Sequence, residues 1–379
     1  MKPRRPAWKL LARLAVCLVL LAFAFHGIFM HEGRVAWEEA GRDWAQLSRS
    51  RQWLEAWTLG PGSLWKTILM LRPMDAALSL AFMGATIVAG LFRWHLFLTA
   101  QGLGLSLGRT AEISFVAHFF NSVLLGSAGG DLMKALYAAR ETHHLKAESV
   151  MTVVVDRLVG LFATLFFAAV MMIANVDLLR AHGRLTAVSG VVLGSLALVT
   201  VVAVLSFWGG LSRLWSNGRN LLARLPQGAL IERSLMAARG YGRHPGTLLA
   251  ALGWSMVLNT ACVLQVWALT RGLGVHVPVR WLLVIIPVVV FLSSIPITPN
   301  GLGVRENLYV WMLTVPEIGM PATTALSLSL LAFAGSLLWS LVGGVVYLGF
   351  RRKHHLLEVA QASESGPEET SAPSPPGLV

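Results

Sequence analysis

Six stretches of about 20 apolar residues, each poor in charge, constrain this chain more than any motif it carries. They fall at 10–29, 76–98, 150–173, 185–207, 248–269 and 325–347. A helix of about 20 residues crosses roughly 30 Å of hydrocarbon, and in lipid every backbone N–H and C=O must be satisfied within the structure. Composition agrees, with 55% hydrophobic and 13% charged residues among 379. The sequence predicts an all-α polytopic membrane protein with about six full transmembrane helices. The runs at 113–125, 282–296 and 302–313 are shorter or interrupted, and length alone leaves their role open.

Charge sets the expected orientation. Lys2, Arg4, Arg5, Lys9 and Arg13 precede or enter the first run. This reads as an uncleaved helix with its N-terminus inside; a secretory signal with Ala22-Phe23-Ala24 as its cleavage site is the alternative. The loop 211–246 carries six arginines against Glu232, and Arg351, Arg352 and Lys353 follow the last run, so both belong in the cytoplasm. By contrast, 31–75 balances acids and bases and carries Trp37, Trp44, Trp53, Trp57 and Trp65, as amphipathic helices at an outer membrane surface would. The expected divisions are an N-terminal span over 1–30, the Trp-rich segment 31–75, a transmembrane domain over 76–350 and a basic, then disordered, tail over 351–379. Cys17 and Cys262 lie inside apolar runs with no CxxC spacing, which argues against a disulfide framework or a zinc site. The net charge of +12 is explained by the cytoplasmic loops, making anionic lipid rather than nucleic acid the expected partner.

Counting spans assigns the shorter runs a role. For the arginine-rich loop to reach the cytoplasm, 113–125 must enter and return on the cytoplasmic side around 126–131, and 280–315 must do the same from outside. The chain then reads as span, hairpin, span (about 76–175), a linker (176–247), and span, hairpin, span in the opposite sense (about 248–350). That is the pattern of an inverted repeat whose broken helices meet near the midplane. "GSAGGDLMK" (126–134) and "NGLGVRE" (300–306) are the parallel breaks. Gly and Pro are also common in ordinary membrane helices and hairpin tips, so the pattern alone does not decide.

The residues at the breaks add chemistry. Pro296 and Pro299 end a helix, and the glycines permit a turn. A helix beginning near Gly303, with Arg305 beside its free N–H groups, suits an anion such as phosphate. Arg305 and Glu306 are adjacent, as are Asp156 and Arg157, and neighbours on a helix point about 100° apart. Each is therefore expected to find its partner on another helix, with Arg305 approaching Asp156 and Glu306 approaching Arg157. Asp131 and Lys134 have the spacing to pair with each other.

"FFNSVLLGSAGGDLMKALYAAR", "VVVDRLVGLFATLFF" and "SSIPITPNGLGVREN", in this order, resemble the flippase-like membrane domain of the lysylphosphatidylglycerol synthase family, over roughly 78–350. The resemblance implies functional roles for Asn121, Gly129, Gly130, Asp131, Asp156, Arg157, Pro299, Gly301, Gly303, Arg305 and Glu306. Lys134 stands where the family commonly has Arg, Asp156 where it has Glu, and Asn300-Gly301 where it has Gly-Gly. The Trp-rich stretch is a further departure. The full synthases append a soluble acyltransferase-like domain, and this chain ends about 30 residues past its last span, so no aminoacyl transfer is expected. "GLGLSLG" (102–108) fails the G-x-G-x-x-G spacing, and HExxH, Walker A and G-x-S-x-G are absent, so no cofactor is expected.

Together these observations predict an inner-membrane protein, with both termini cytoplasmic, that binds or moves a lipid with an anionic headgroup. Arg157, Arg305 and the two half-helix N-termini would hold the phosphate; Asp131, Asp156 and Glu306 would pair with the bases or change protonation. The alternatives are a membrane-embedded enzyme acting on a lipid-linked or prenyl-phosphate substrate, with the same carboxylates as acid and base, and a small-solute transporter.

Overall fold

The computed structural model describes residues 26, 29–30, 33–34, 36–38, 40–123, 129–142, 146–207, 245–295, 298 and 301–353. Among these residues every regular element is helical: α1 (Arg49–Leu69), α2 (Pro73–Ala100), α3 (Leu107–Val123), α4 (Gly129–Glu141), α5 (Lys146–Ala174), α6 (Val176–Ala181), α7 (Gly183–Phe207), α8 (Pro245–Gly272), α9 (Val279–Ser294), α10 (Val304–Leu313) and α11 (Ala322–Lys353), with a 3-10 turn at Trp44–Gln46. Five of them, α2, α5, α7, α8 and α11, contain stretches long and apolar enough to cross a membrane. These are five of the six spans the sequence predicts. The sixth, 10–29, lies outside the described residues apart from His26 and Phe29, as do most of the basic loop and the end of the tail. The protein is an all-α polytopic membrane protein.

Both expected hairpins are pairs of short helices, α3 with α4 and α9 with α10. The residues between them, 124–128 and most of 296–300, lie outside the described set. One boundary needs correcting. α3 begins at Leu107, not near 113, because Ser106 accepts a hydrogen bond from the Arg109 N–H and caps a polar first turn. Arg109 then pairs with Glu112 and, at 2.5 Å, with Glu141 of α4, which ties the two arms together.

Two long helices form the spine. α2 starts with Pro73 at its first position and Asp75 in its first turn, both suited to a helix N-terminus. It runs along α8, with Phe92 stacked on Trp254 at 4.8 Å and with Arg271 of α8 donating to the buried Asp75 at 2.7 Å. Around this spine the contacts come in matched sets. The α2–α3, α2–α5, α3–α4 and α4–α5 contacts have counterparts in α8–α9, α8–α11, α9–α10 and α10–α11; crosswise, α3–α11 and α2–α11 have counterparts in α9–α5 and α8–α5. One apolar core joins Trp94, Ile113, Val116, Tyr137 and Val153 around the first hairpin, and a larger one surrounds the second.

The Trp-rich stretch contains one long amphipathic helix, α1. Its small residues Ala56 and Gly60 are buried, and Ala56 joins Phe29 and Trp44 against Leu326 of α11. Leu54, Trp65 and Leu69 lie exposed on its other side.

Helix α11 meets α3 closely at Gly343, where an added Cβ would lie 2.1 Å from the Phe115 carbonyl oxygen. Gly343→Val should therefore lose about 1–3 kcal/mol by overpacking, read as a lower unfolding temperature in detergent. Gly349→Ala, where an added Cβ meets nothing within 4 Å, should leave that temperature unchanged or slightly raised.

Candidate functional site

Two groups of ionisable side chains lie at the helix breaks, apart from the Asp75–Arg271 pair that joins the start of α2 to the end of α8. At the first break, α5 presents Asp156 and Arg157 in succession, and their directions diverge as helix geometry requires. Asp156 turns inward. Arg93 of α2 donates from Nε to its Oδ1 at 2.7 Å, and Lys134 of α4 approaches its Oδ2 at 3.4 Å. The three side chains are only 12%, 13% and 8% exposed for Arg93, Lys134 and Asp156. Nη1 of Arg93 also donates to Ser255 Oγ of α8 at 3.1 Å, and the Lys134 ammonium stands 4.5 Å above the Trp94 ring. Four helices thus meet at one carboxylate. Arg157 turns outward and faces Asp131 of α4 at 3.4 Å, with both side chains more than a third exposed.

At the second break, Gly303 takes a φ of 82°, a conformation glycine adopts without strain, and α10 starts after it. Glu306, fully buried, reaches back to accept from the Gly303 N–H at 2.6 Å. Its other oxygen accepts from Arg305 Nη2 at 2.6 Å, and Ser329 of α11 lies 3.4 Å away. The Arg305 guanidinium lies 4.5 Å above the Phe333 ring.

These contacts overturn the expected pairing between the two breaks. Arg305 pairs with its own neighbour, Glu306; Asp156 is taken by Arg93 and Lys134; and Arg157 is taken by Asp131, so Asp131 and Lys134 do not pair with each other either. The physical reason is reach. Adjacent Cα–Cβ vectors diverge by about 100°, but the long arginine side chain curls back to the next carboxylate. The shorter Asp156 does not meet its arginine neighbour in this way.

The glycines act mainly by being small. Gly130 is buried, and a Cβ there would lie 2.4 Å from the Ala117 carbonyl oxygen and 2.9 Å from the Asn121 Cβ, so Asn121 and Gly130 mark where α4 crosses α3. Gly129 is the first residue of α4. Gly301 has a φ of 70° and sits against Ser293. Pro299 lies outside the described residues.

Arg93 is the residue sequence reasoning missed. Its signal was present: it is the one charged residue inside the 76–98 run, and a base at that depth needs an acid. Ser255 and Asn259 gave no such signal. Asn259 is buried one turn beyond Ser255, and its Oδ1 has no hydrogen-bond partner among the described residues. Gly160 is small for a local reason too, since a Cβ there would lie 2.9–3.2 Å from the Arg93 guanidinium.

A model of the lysylphosphatidylglycerol synthase TM region matches residues 10–344. The chain belongs to this family. The family match extends well before residue 78 and runs through the Trp-rich stretch, so the resemblance carried by the three motifs is too short on that side. No curated protein matches the chain. Membership makes it a multi-pass member of the lysylphosphatidylglycerol synthase membrane-region family, and both ionic centres lie inside the region that defines the family.

The Arg305–Glu306 and Arg157–Asp131 pairs differ in burial, and this gives a graded prediction. Glu306→Gln leaves Arg305 without its carboxylate in a buried site and should cost about 3–5 kcal/mol. Asp131→Asn breaks a partly exposed pair and should cost about 1 kcal/mol or less. Thermal unfolding in one detergent should rank the two variants in that order.

Proposed function

We propose that the protein binds, and moves between leaflets of the cytoplasmic membrane, a lipid with an anionic phosphate headgroup. The observation that carries this reading is the position of the charges. In an apolar bundle, bases and acids are held at two breaks where short helices begin, and such groups at depth usually mark a path for a polar solute. The headgroup would follow the polar breaks while the acyl chains stay in the bilayer. Arg157 and Arg305 would meet the phosphate, with Asp131, Asp156 and Glu306 returning to the bases when it leaves.

The matched helix contacts around α2 and α8 support reading residues 76–175 and 248–350 as an inverted repeat, with its breaks opening to opposite faces and both termini cytoplasmic. We further propose that the chain carries out no aminoacyl transfer of its own. Family membership supports the membrane-domain part of this reading.

Reconstitution into liposomes with fluorescent phosphatidylglycerol should give faster loss of leaflet asymmetry than protein-free liposomes, and no acceleration rules the reading out. A cysteine placed at Asn300 should react with a membrane-impermeant reagent from outside the cell and one at Ala128 from the cytoplasm. Labelling of both from one side removes the inverted repeat. Incubation with charged tRNA and phosphatidylglycerol should give no aminoacylated lipid.

A further inference from the structure

The two breaks are not equivalent in charge. Arg305 balances Glu306, and Arg157 balances Asp131. At the buried centre, however, two bases, Arg93 and Lys134, share the single carboxylate of Asp156. The centre therefore keeps one positive charge in excess. Among the described residues no other carboxylate pairs with either base, and the Trp94 face that Lys134 stands on carries no formal charge. An uncompensated charge at such depth is unfavourable, and an anion relieves it.

The donors are also placed for one. Arg93 uses Nε on Asp156 and Nη1 on Ser255, while Nη2 has no hydrogen-bond partner among the described residues; the guanidinium packs against Gly160, whose lack of a side chain makes room for it. Lys134 spends one of its three donors on Asp156. The neighbouring Asp131–Arg157 pair is more exposed than this centre and adjoins it along α4 and α5. On its more exposed side the centre thus borders a neutral pair, while its buried part keeps an excess positive charge.

We propose that Arg93 and Lys134 form a binding site for one phosphodiester monoanion, and that Asp156 is its positioning residue. Asp156 holds the two bases side by side and sets the net charge at one, which matches a phosphodiester and disfavours the doubly charged phosphomonoester. This inference rests on the anionic-lipid reading but moves the principal headgroup contact from Arg157 and Arg305 to Arg93 and Lys134.

The test is equilibrium binding to the purified full chain in maltoside micelles, with dihexanoyl phosphatidylglycerol, dihexanoyl phosphatidic acid and dihexanoylglycerol as probes. The wild-type chain should bind phosphatidylglycerol and not the phosphate-free diacylglycerol. Arg93→Gln and Lys134→Gln should each weaken phosphatidylglycerol about tenfold or more, the scale of one charge-assisted hydrogen bond, and Lys134→Arg should retain it. Asp156→Asn raises the net charge to two and should shift preference toward phosphatidic acid, a change that mere loss of packing does not produce. If Asp156→Asn does not fold, Gly160→Ala crowds Arg93 without altering charge and should weaken both phosphate-bearing probes while leaving the preference between them unchanged.

Unchanged affinity in both Gln variants overturns the site, and so does loss of all binding in a folded Asp156→Asn. Inorganic phosphate that displaces the lipid overturns the phosphodiester assignment; failure to displace it makes the lipid headgroup the ligand and upholds the site. Binding and movement fail separately. A chain that binds through Arg93 and Lys134 but moves no lipid keeps this site and loses the transport reading. A chain whose Gln variants move lipid at the wild-type rate keeps transport and loses this site.

Discussion

A carboxylate inside an apolar helix bundle is tolerated only if bases reach it, and Asp156 meets that condition in one arrangement of four helices. Arg93 brings α2, Lys134 brings α4, and the Arg93–Ser255 hydrogen bond brings α8 to the same point on α5. Shifting α2, α4 or α5 strands a charge, at a cost of about 3–5 kcal/mol, and shifting α8 loses the Arg93–Ser255 hydrogen bond. The apolar contacts between the same helices are non-directional and would accept many registers. The ionic centre is what selects one of them. Gly160 belongs to this selection, because a larger side chain there occupies the space beside the guanidinium.

The same logic sets the second break. Glu306 has no exposed surface, and its two oxygens are satisfied by the Gly303 N–H and by Arg305. It is at once the N-terminal cap of α10 and the counter-ion of its neighbour. A glycine at position 303 is needed because the capped backbone has a φ of 82°, and any side chain there would be strained. The "GVRE" stretch thus reads as one local unit: turn, cap and ion pair within four residues.

The large features were legible because they depend on local sums. Five spans, both breaks and the short helices beside them follow from runs of apolar residues and from where Gly and Pro interrupt them. The pairing of charges was not legible. Asp156 and Arg93 are 63 residues apart, and nothing in a one-dimensional pattern says which distant helix will face the carboxylate. The Arg305–Glu306 contact is hidden for the opposite reason: the Cα–Cβ direction does not fix where the end of a long, flexible arginine lies. The early start of α3 was missed because Ser106 and Arg109 look like loop residues until the cap and the bridge to Glu141 are seen together.

The two centres also lie at opposite ends of the bundle. Arg93 comes seven residues before the end of α2, and Ser329, beside Glu306, comes seven residues after the start of α11. The start of α2 is joined to the end of α8 by Asp75 and Arg271, and the end of α8 shares a core with Val315 and Met320 just ahead of α11. With about 1.5 Å of rise per residue, the centres are roughly 15–20 Å apart along the membrane normal. At an effective dielectric of about 20, a unit charge arriving at one is felt at the other by only about 1 kcal/mol. The bundle therefore behaves as two modestly coupled electrical compartments, in which a unit charge placed in one shifts a charge equilibrium in the other by no more than about fivefold.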